Sequence, residues 1–518
     1  MKPILGRVLV VCACLVAIAL TSVPVSSQDA QTFYVSVAGD DTNPGTIDQP
    51  FRTIGKGVSV LSAGDVLYIR EGVYHEDVSI SNSGTASRPI KVMAYPDEKP
   101  IIDGDNYRLP SVDWGVLLHL AGSYIEVSGL EIRYSNWMGV VLGGEHNRVS
   151  NLNVHHNKEN GILISGDYGI VEDSRVWWNC ASNEYGITQR DGWASGLSAA
   201  RHPNHAIIRR NIVYHNWGEG ISTYEANRTL IEDNVVYDNH TNIYISDATN
   251  VLCQRNLIYG TGTVMQAGSR VGIMMGDERY APPSSNIIII NNLVVGTNRN
   301  YYWWQGVQGG GMKNVLIAHN TFVNSTGDAC IIIDNGSHEN VRFENNIIRQ
   351  DDALPVAIMP RRMNVVFSHN LWSKAPPAMA SRPSDVIGNP KLAQVGLVQP
   401  GLLTAEWFRL LADSPAIGRA RLMAEVQEDY FGVSRGASPD IGACEYTLHP
   451  LTPAPPPTIP TVPLTIPATS PTATPTPTPT VDGPTDPTCY HIWIVCVYVA
   501  RGGLSVGPVT TRRPSTCR

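Results

Sequence analysis

Cysteine is scarce in the body of this chain, and what there is lies far apart. Cys180, Cys253, Cys330 and Cys444 are the only four between residues 28 and 487, with no C-x-x-C pair among them. That excludes a zinc knuckle and a disulfide-built scaffold, and predicts buried free thiols acting as small apolar residues. Charge is sparse at 16% of residues, and the formal net charge is −8. A nucleic-acid partner needs a basic face, so that class is excluded. Long apolar runs are missing beyond the first twenty residues, so no second stretch reaches the length of a membrane span. No G-x-S-x-G, P-loop or H-E-x-x-H phrase occurs, which removes the common serine-hydrolase, nucleotide and zinc-protease readings. His155-His156 is an adjacent pair, pointing to opposite strand faces, and makes a poor metal clamp.

The two ends read as accessories. Lys2 and Arg7 precede the apolar run 8–20, and small residues follow at 25–27. This is the layout of an export signal, so residues 1–27 are expected to be removed and the protein to be secreted, soluble and monomeric. Residues 448–487 are dominated by Pro and Thr, including TATPTPTPT at 472–480. Such a tract is a stiff extended linker. The tail 488–518 carries three cysteines and no recognisable pattern.

What fills the middle is a repeat. IIRRNIVYHN begins at 207, LIEDNVVYDN at 230, VLCQRNLIYG at 251, IIIINNLVVG at 287, VLIAHNTFVN at 315, VRFENNIIRQ at 341 and VVFSHNLWSK at 365. The Asn shared by all copies falls at 211, 234, 256, 292, 320, 346 and 370. The base step of about 22 residues, with longer outliers, means one rung per repeat with insertions at loops. The runs are short and rich in Val and Ile, which are strand signals. Three short strands per coil give an all-β fold, a single-stranded right-handed parallel β-helix of about ten or more rungs. Neighbouring rungs must share one core. The recurring Asn suits a side-chain ladder and a left-handed turn. Residues 28–111 are expected to hold an N-terminal cap and first rungs, with an amphipathic capping helix in 49–61. Rungs fill 112–375, and a closing segment 376–447 ends in a last strand and turn at GASPDIGACEY.

A second phrase, polar residues then Gly then a strand, recurs with Gly at 139, 161, 192, 220 and 272. Aligned on those glycines, with Asn242 as a variant of the Gly, Met138, Asn160, Asp191, Glu219, Thr241 and Val271 form one column. Strands stack about 4.8 Å apart, which makes Asp191 and Glu219 neighbours on one face. Arg190, His240 and Arg270 form the adjacent column. Trp193, Trp217 and Tyr224 flank the acidic pair, and Trp303 and Trp304 lie in a later insertion. Exposed aromatic faces stack on sugar rings, so these five, with Arg190, are candidate substrate contacts.

YVSVAGDDTNPGTIDQPFRTI, GDVLYIREGVY, the Asn rungs and PDIGACEY together resemble exported right-handed parallel β-helix proteins of the pectate-lyase-like superfamily. The resemblance covers about 31–447. The nearest pattern is that of the family-nine polysaccharide lyases, in which aspartates on two successive rungs bind calcium and a lysine on a following rung is the base. Arg190-Asp191-Gly192-Trp193 resembles the first aspartate phrase, and 216–222 (NWGEGIS) resembles the second in part. The resemblance implies Ca2+ held by Asp191 and Glu219. Gly218 and Ser222 replace the other two carboxylates, and no lysine follows. His240 and Arg270 are the substitute bases. The implied activity is calcium-assisted β-elimination, or epimerisation, of an extracellular uronate polysaccharide. Two alternatives stand beside it: a glycosidase with Asp191 and Glu219 as its acid pair, and a non-catalytic carbohydrate-binding surface protein.

Overall fold

A computed structural model describes residues 29–109, 115–186, 193–262, 270–279, 284–361 and 363–448. The signal, linker and tail segments, and the site candidates Arg190 and Asp191, lie outside the described residues. Three parallel sheets of thirteen, thirteen and eleven strands wind into a solenoid of about 11 turns. The chain visits them in the same order on each turn. The first sheet runs from Thr32–Val35 to Val365–Ser368, the second from Val73–Tyr74 to Val386–Ile387, and the third from Val78–Ile80 to Ala357–Ile358.

Side chains alternate in and out along each short strand, so every rung contributes one or two apolar residues per sheet to the interior. Those residues stack in register. In the second sheet the inward column includes Ile132, Val154, Val176, Val213 and Val236, all fully buried. The four body cysteines are buried free thiols, with Cys253 seated in the first sheet's inward column between Ile231 and Ile289. A short helix, Ile54–Ser59, sits near the base, as the amphipathic stretch predicts. Thr53 caps it by accepting the Lys56 amide, and Ile54, Gly57 and Val58 face the core.

The Asn column is a continuous amide ladder. Each Nδ2 donates to the next Oδ1, from Asn211 through Asn234, Asn256, Asn292, Asn320 and Asn346 to Asn370, at 2.9–3.1 Å. A second ladder joins Asn157, Asn179, Asn216, Asn239 and Asn242 at the turn into the third sheet. The left-handed residue of the first ladder's turns is not the ladder Asn but the one before it: Arg210, Asp233, Arg255, Asn291, His319, Asn345 and His369.

The closing segment corrects the sequence reading. Residues 436–446 form no strand. They belong to a strap that folds back along the outside of the solenoid. Gly442 donates to the Asn345 carbonyl, Ala443 to Thr321 Oγ1, and Gly401 to the Tyr259 hydroxyl. Trp407, Phe408 and Ile441 cover Tyr237 and Tyr259, which would otherwise leave an apolar stripe in water. Arg435 anchors the strap from a fully buried position, paired with Glu445 and bonded to Asn291.

Candidate functional site

The outward residues of the third sheet change character along the solenoid. Successive strands place His119, Val141, Leu163, Ser198, Ser222, Tyr244, Met274 and Tyr302 in one column. Strands Ser195–Ala200 and Glu219–Tyr224 put three serines and a carboxyl together there. Ser195 Oγ is hydrogen-bonded to Glu219 Oε2 at 3.1 Å and to Ser222 Oγ at 2.8 Å, and Ser222 Oγ to Ser198 Oγ at 2.9 Å. On the next rung the Tyr244 hydroxyl donates to Glu278 Oε1 at 2.8 Å.

Glu219 is 9% exposed. Burial pushes its carboxyl up to about 8, and the negative charge of Glu278 adds to the shift. At neutral pH it therefore carries a proton. His240 is shifted the opposite way, down to about 4 by burial, and stays neutral. Among the described residues its Nδ1 has no hydrogen-bond partner, and its ring meets Trp193 edge-on with centroids 4.9 Å apart.

Several sequence candidates are relocated. The residue opposite Glu219 is Ser195, and Gly196 rather than Gly192 aligns with Gly220. The alternation decides this register: Leu197 and Ala199 must point inward, and shifting the frame would turn them out. Asp191 thus falls four residues before the strand position that faces Glu219. His240 and Arg270 do share a column, next to the Thr241–Val271 pair. Arg270, however, lines a separate cavity of about 190 Å³ with Asp238, Asn242 and Gly260, at the corner between the second and third sheets. Trp303 is fully buried in the inward column, because Tyr301 and Trp303 alternate with the outward Tyr302 and Trp304. It offers no face to a sugar. Trp217 packs with Cys180 and Ala194 beneath the site. Tyr224 points outward, but Arg279 sits over its ring at 5.5 Å. Trp193 and Trp304 keep partial exposure. Sequence reasoning missed Glu278, hidden next to an Asp in the GDER turn, and the three serines, which carry no spacing signal.

The carboxylates that follow each strand are bound into turns. Asp247 accepts the Glu278 amide, Asp277 accepts the amides of Ser284 and Gly311, and Asp334 accepts the Tyr302 hydroxyl.

Residues 33–302 match the family described as Pel9A-like, right handed beta helix region. The chain belongs to that Pel9A-like family. Among curated proteins it is 36% identical over 114 residues to pectate lyase PEL9 of Emericella nidulans, covering 20% of this chain and 28% of that protein. It is 35% identical over 100 residues to YwoF of Bacillus subtilis (strain 168), covering 19% and 21%. The match therefore spans about a quarter of the length of these relatives. Among solved structures, that of XylC with xylose aligns with a TM-score of 0.55 at 12% identity, covering 80% of this chain and 98% of the other. That likeness concerns the fold.

The calcium implied by the family resemblance was weighed against the donors present. Among the described residues no group of three or more His, Cys, Asp or Glu side chains could hold a metal ion. A Cβ at Gly218 would lie 1.7 Å from the Ala194 carbonyl oxygen, so no aspartate fits there without backbone movement. Ser222 supplies a hydroxyl already bonded to two others, and Glu219 is protonated. Among the described residues, which leave out Asp191, the donor set does not fit calcium, which prefers several ionised oxygen ligands.

Proposed function

We propose that this Pel9A-like protein is an exported, polysaccharide-acting enzyme of the lyase type that binds a uronate polymer along the outer face of its third sheet. The observation that carries the reading is the Ser195–Glu219–Ser222–Ser198 cluster. It spans two neighbouring rungs, the second of which carries NWGEGIS, the phrase that resembles in part the family's second aspartate phrase.

β-Elimination removes the proton on C5 of a uronate and develops charge on the neighbouring carboxylate. A neutral carboxyl such as Glu219 can donate a hydrogen bond to that charge, strengthening as the charge grows. The three serines can hold ring or carboxylate oxygens. His240, neutral and one position from Thr241 on the following rung, is the base candidate adjoining the site. Arg270, in its own cavity, is not assigned the role. A second reading has its own support: a carboxyl kept protonated is what a glycosidase needs as general acid.

The test is ultraviolet absorbance of the full chain incubated with polygalacturonate, alginate and other uronates, with and without calcium. A rising signal from a new C4=C5 double bond, abolished in Glu219→Gln, is the expected result. A flat trace with new reducing ends would replace the lyase by a hydrolase. A flat trace with neither would leave a binding protein.

A further inference from the structure

The strap covers the outer face of the second sheet only in part. Two outward columns lie side by side there. One runs Ile212, Val235, Leu257 and Leu293, the other Trp177, Tyr214, Tyr237 and Tyr259. Tyr237, Leu257, Tyr259 and Leu293 are buried in one cluster with Leu403, Trp407 and Phe408 of the strap. Toward the base this cover runs out. Val235, Tyr214 and Trp177 are half-buried, and Ile212 is 36% exposed. Trp178, held in the adjoining turn at φ of +52°, is also 36% exposed. His155, Trp177, Tyr214 and Tyr237 stack on one another at 4.5–5.8 Å, so their edges rather than their faces look outward. The apolar shelf ends below at the ion pairs of Arg133 with Asp103 and Glu131.

The end of the strap directs the chain at this shelf. Gly442 is bonded to the rung of Asn345, and Glu445 pairs with Arg435, which binds Asn291 two rungs lower. Tyr446 lies in the cluster that takes in Tyr214 and Val235, and Leu448, the last described residue, is 82% exposed. The sequence that follows carries no charged residue before Asp482. Within it PTIPTVP, at 457–463, repeats every third residue. A polyproline II helix has three residues per turn and rises about 3.1 Å per residue. Pro457, Pro460 and Pro463 therefore form one edge, Pro456, Ile459 and Val462 a second, and Thr458 and Thr461 the third. Two edges are apolar and one is hydroxylated. Residues 468–480 hold only Ala, Ser, Thr and Pro and have no such faces.

The lengths agree. Six steps from Pro457 to Pro463 advance about 19 Å. Four rung steps, from Tyr237 through Tyr214, Trp177 and His155 to Arg133, also span about 19 Å at the spacing of stacked strands. Polyproline II makes no internal hydrogen bonds, so its carbonyls are free to accept from tyrosine and tryptophan edges, and aromatic-lined surfaces recognise it for that reason. The first sheet has an apolar outward column of its own, Ile170, Ile207 and Leu230. It has no aromatic edges, and it lies beyond the ion-pair ridge of Glu172, Arg209 and Arg210 from the place where the strap ends.

We propose that residues 456–463 of this chain's own linker dock as a polyproline II helix on the shelf of Ile212, Tyr214, Trp177 and Trp178, and so extend the strap toward the base. Residues 468–487 are then the spacer proper. The docking is independent of the activity assigned to the third sheet.

Hydroxyl-radical footprinting of the full chain, read by mass spectrometry, tests this. Oxidation of Trp178 and Tyr214 is normalised to Trp304 on the third sheet. In Ile459→Asp/Val462→Asp it should rise about threefold, because carboxylates on the docked edge are expelled from an apolar surface. In Thr476→Asp/Thr478→Asp, which adds the same charge to the later tract, it should stay at the wild-type level. Equal reactivity in the wild type and in Ile459→Asp/Val462→Asp would mean a bare shelf and overturn the proposal. Protection that disappears on dilution, with a dimer in sedimentation, would replace the chain's own linker by that of a second copy. Rings uncovered instead by Ile492→Asp/Ile494→Asp would make the tail the occupant and refute the assignment to 456–463.

Discussion

Replacing Asn256 with Ala should cost about 4 kcal/mol, and the structure says where that comes from. The Asn256 amide accepts from the Asn234 backbone N–H at 3.1 Å and from Asn234 Nδ2 at 3.0 Å. It donates to the carbonyls of Ile231 and Gln254 and to Asn292 Oδ1 at 2.9–3.1 Å. Not all of these are equal losses. Asn234 Nδ2 keeps the Ile208 carbonyl, Asn292 Oδ1 keeps the Asn256 amide, and the Gln254 carbonyl keeps the Asp233 amide. The Asn234 N–H keeps nothing and is stranded where no water reaches, for roughly 1–3 kcal/mol, and the net loss of two further bonds adds about 1 kcal/mol each.

The control is a third Asn ladder. Asn314 donates to Asn286 and accepts from Asn340, both at 3.0 Å, but on the exposed surface. Water replaces those bonds. Asn314 also has φ of +52°, so Gly, not Ala, is the substitution that removes the amide without adding backbone strain. Asn314→Gly should cost less than about 1 kcal/mol. Urea unfolding followed by circular dichroism and by tryptophan fluorescence measures both, and coincidence of the two probes licenses the free energies. If the two variants fall within about 0.5 kcal/mol of each other, burial is not what gives the inner ladder its weight, and the reasoning fails.

Glu219 should make stability fall with rising pH. Its folded carboxyl titrates near 8 and its unfolded one near 4.5, so between those values the folded state holds a proton the unfolded chain has released. Stability then drops by up to about 1.4 kcal/mol per pH unit, and the wild-type-minus-Glu219→Gln difference measured at pH 5 and pH 8 must shrink; a constant difference would contradict the assignment. Trp303→Ala should cost about 3–5 kcal/mol as a core truncation, while Trp304→Ala leaves the urea midpoint nearly unmoved and weakens polymer binding. Arg435→Met leaves Glu445 buried without its partner, costing about 3–5 kcal/mol, and should release the strap to limited proteolysis before the solenoid unfolds.

The solenoid was legible in the sequence because its cause is periodic. A buried column needs an apolar residue at the same place in each rung, and Val213, Val236 and Ile258 appear at matching offsets whatever the loop between them does. The strap was not legible, because its contacts are set by a surface that exists only after winding. GASPDIGACEY reads as a strand on composition, yet Ile441 and Ala443 are buried by packing against the outside of rungs some hundred residues earlier.

Beside Glu219 the difference comes down to one register. DGW at 191–193 resembles the Gly-led phrase and precedes SGLSAA, which carries the strand. Inward alternation at Leu197 and Ala199 settles the frame four residues later, which exchanges an aspartate for Ser195 beside Glu219. The exchange also explains Gly218. The close approach of the Ala194 carbonyl leaves no room for a Cβ there, so the carboxylate missing from the second phrase is missing for a steric reason. Adding Asp at 222 alone would put a charge among hydroxyls already bonded to one another, and adding one at 218 would force the two strands apart. This pair of rungs therefore presents a protonated carboxyl among serines, and on the function proposed here a variant search for activity should begin from hydrogen-bond donors rather than from ionised ligands.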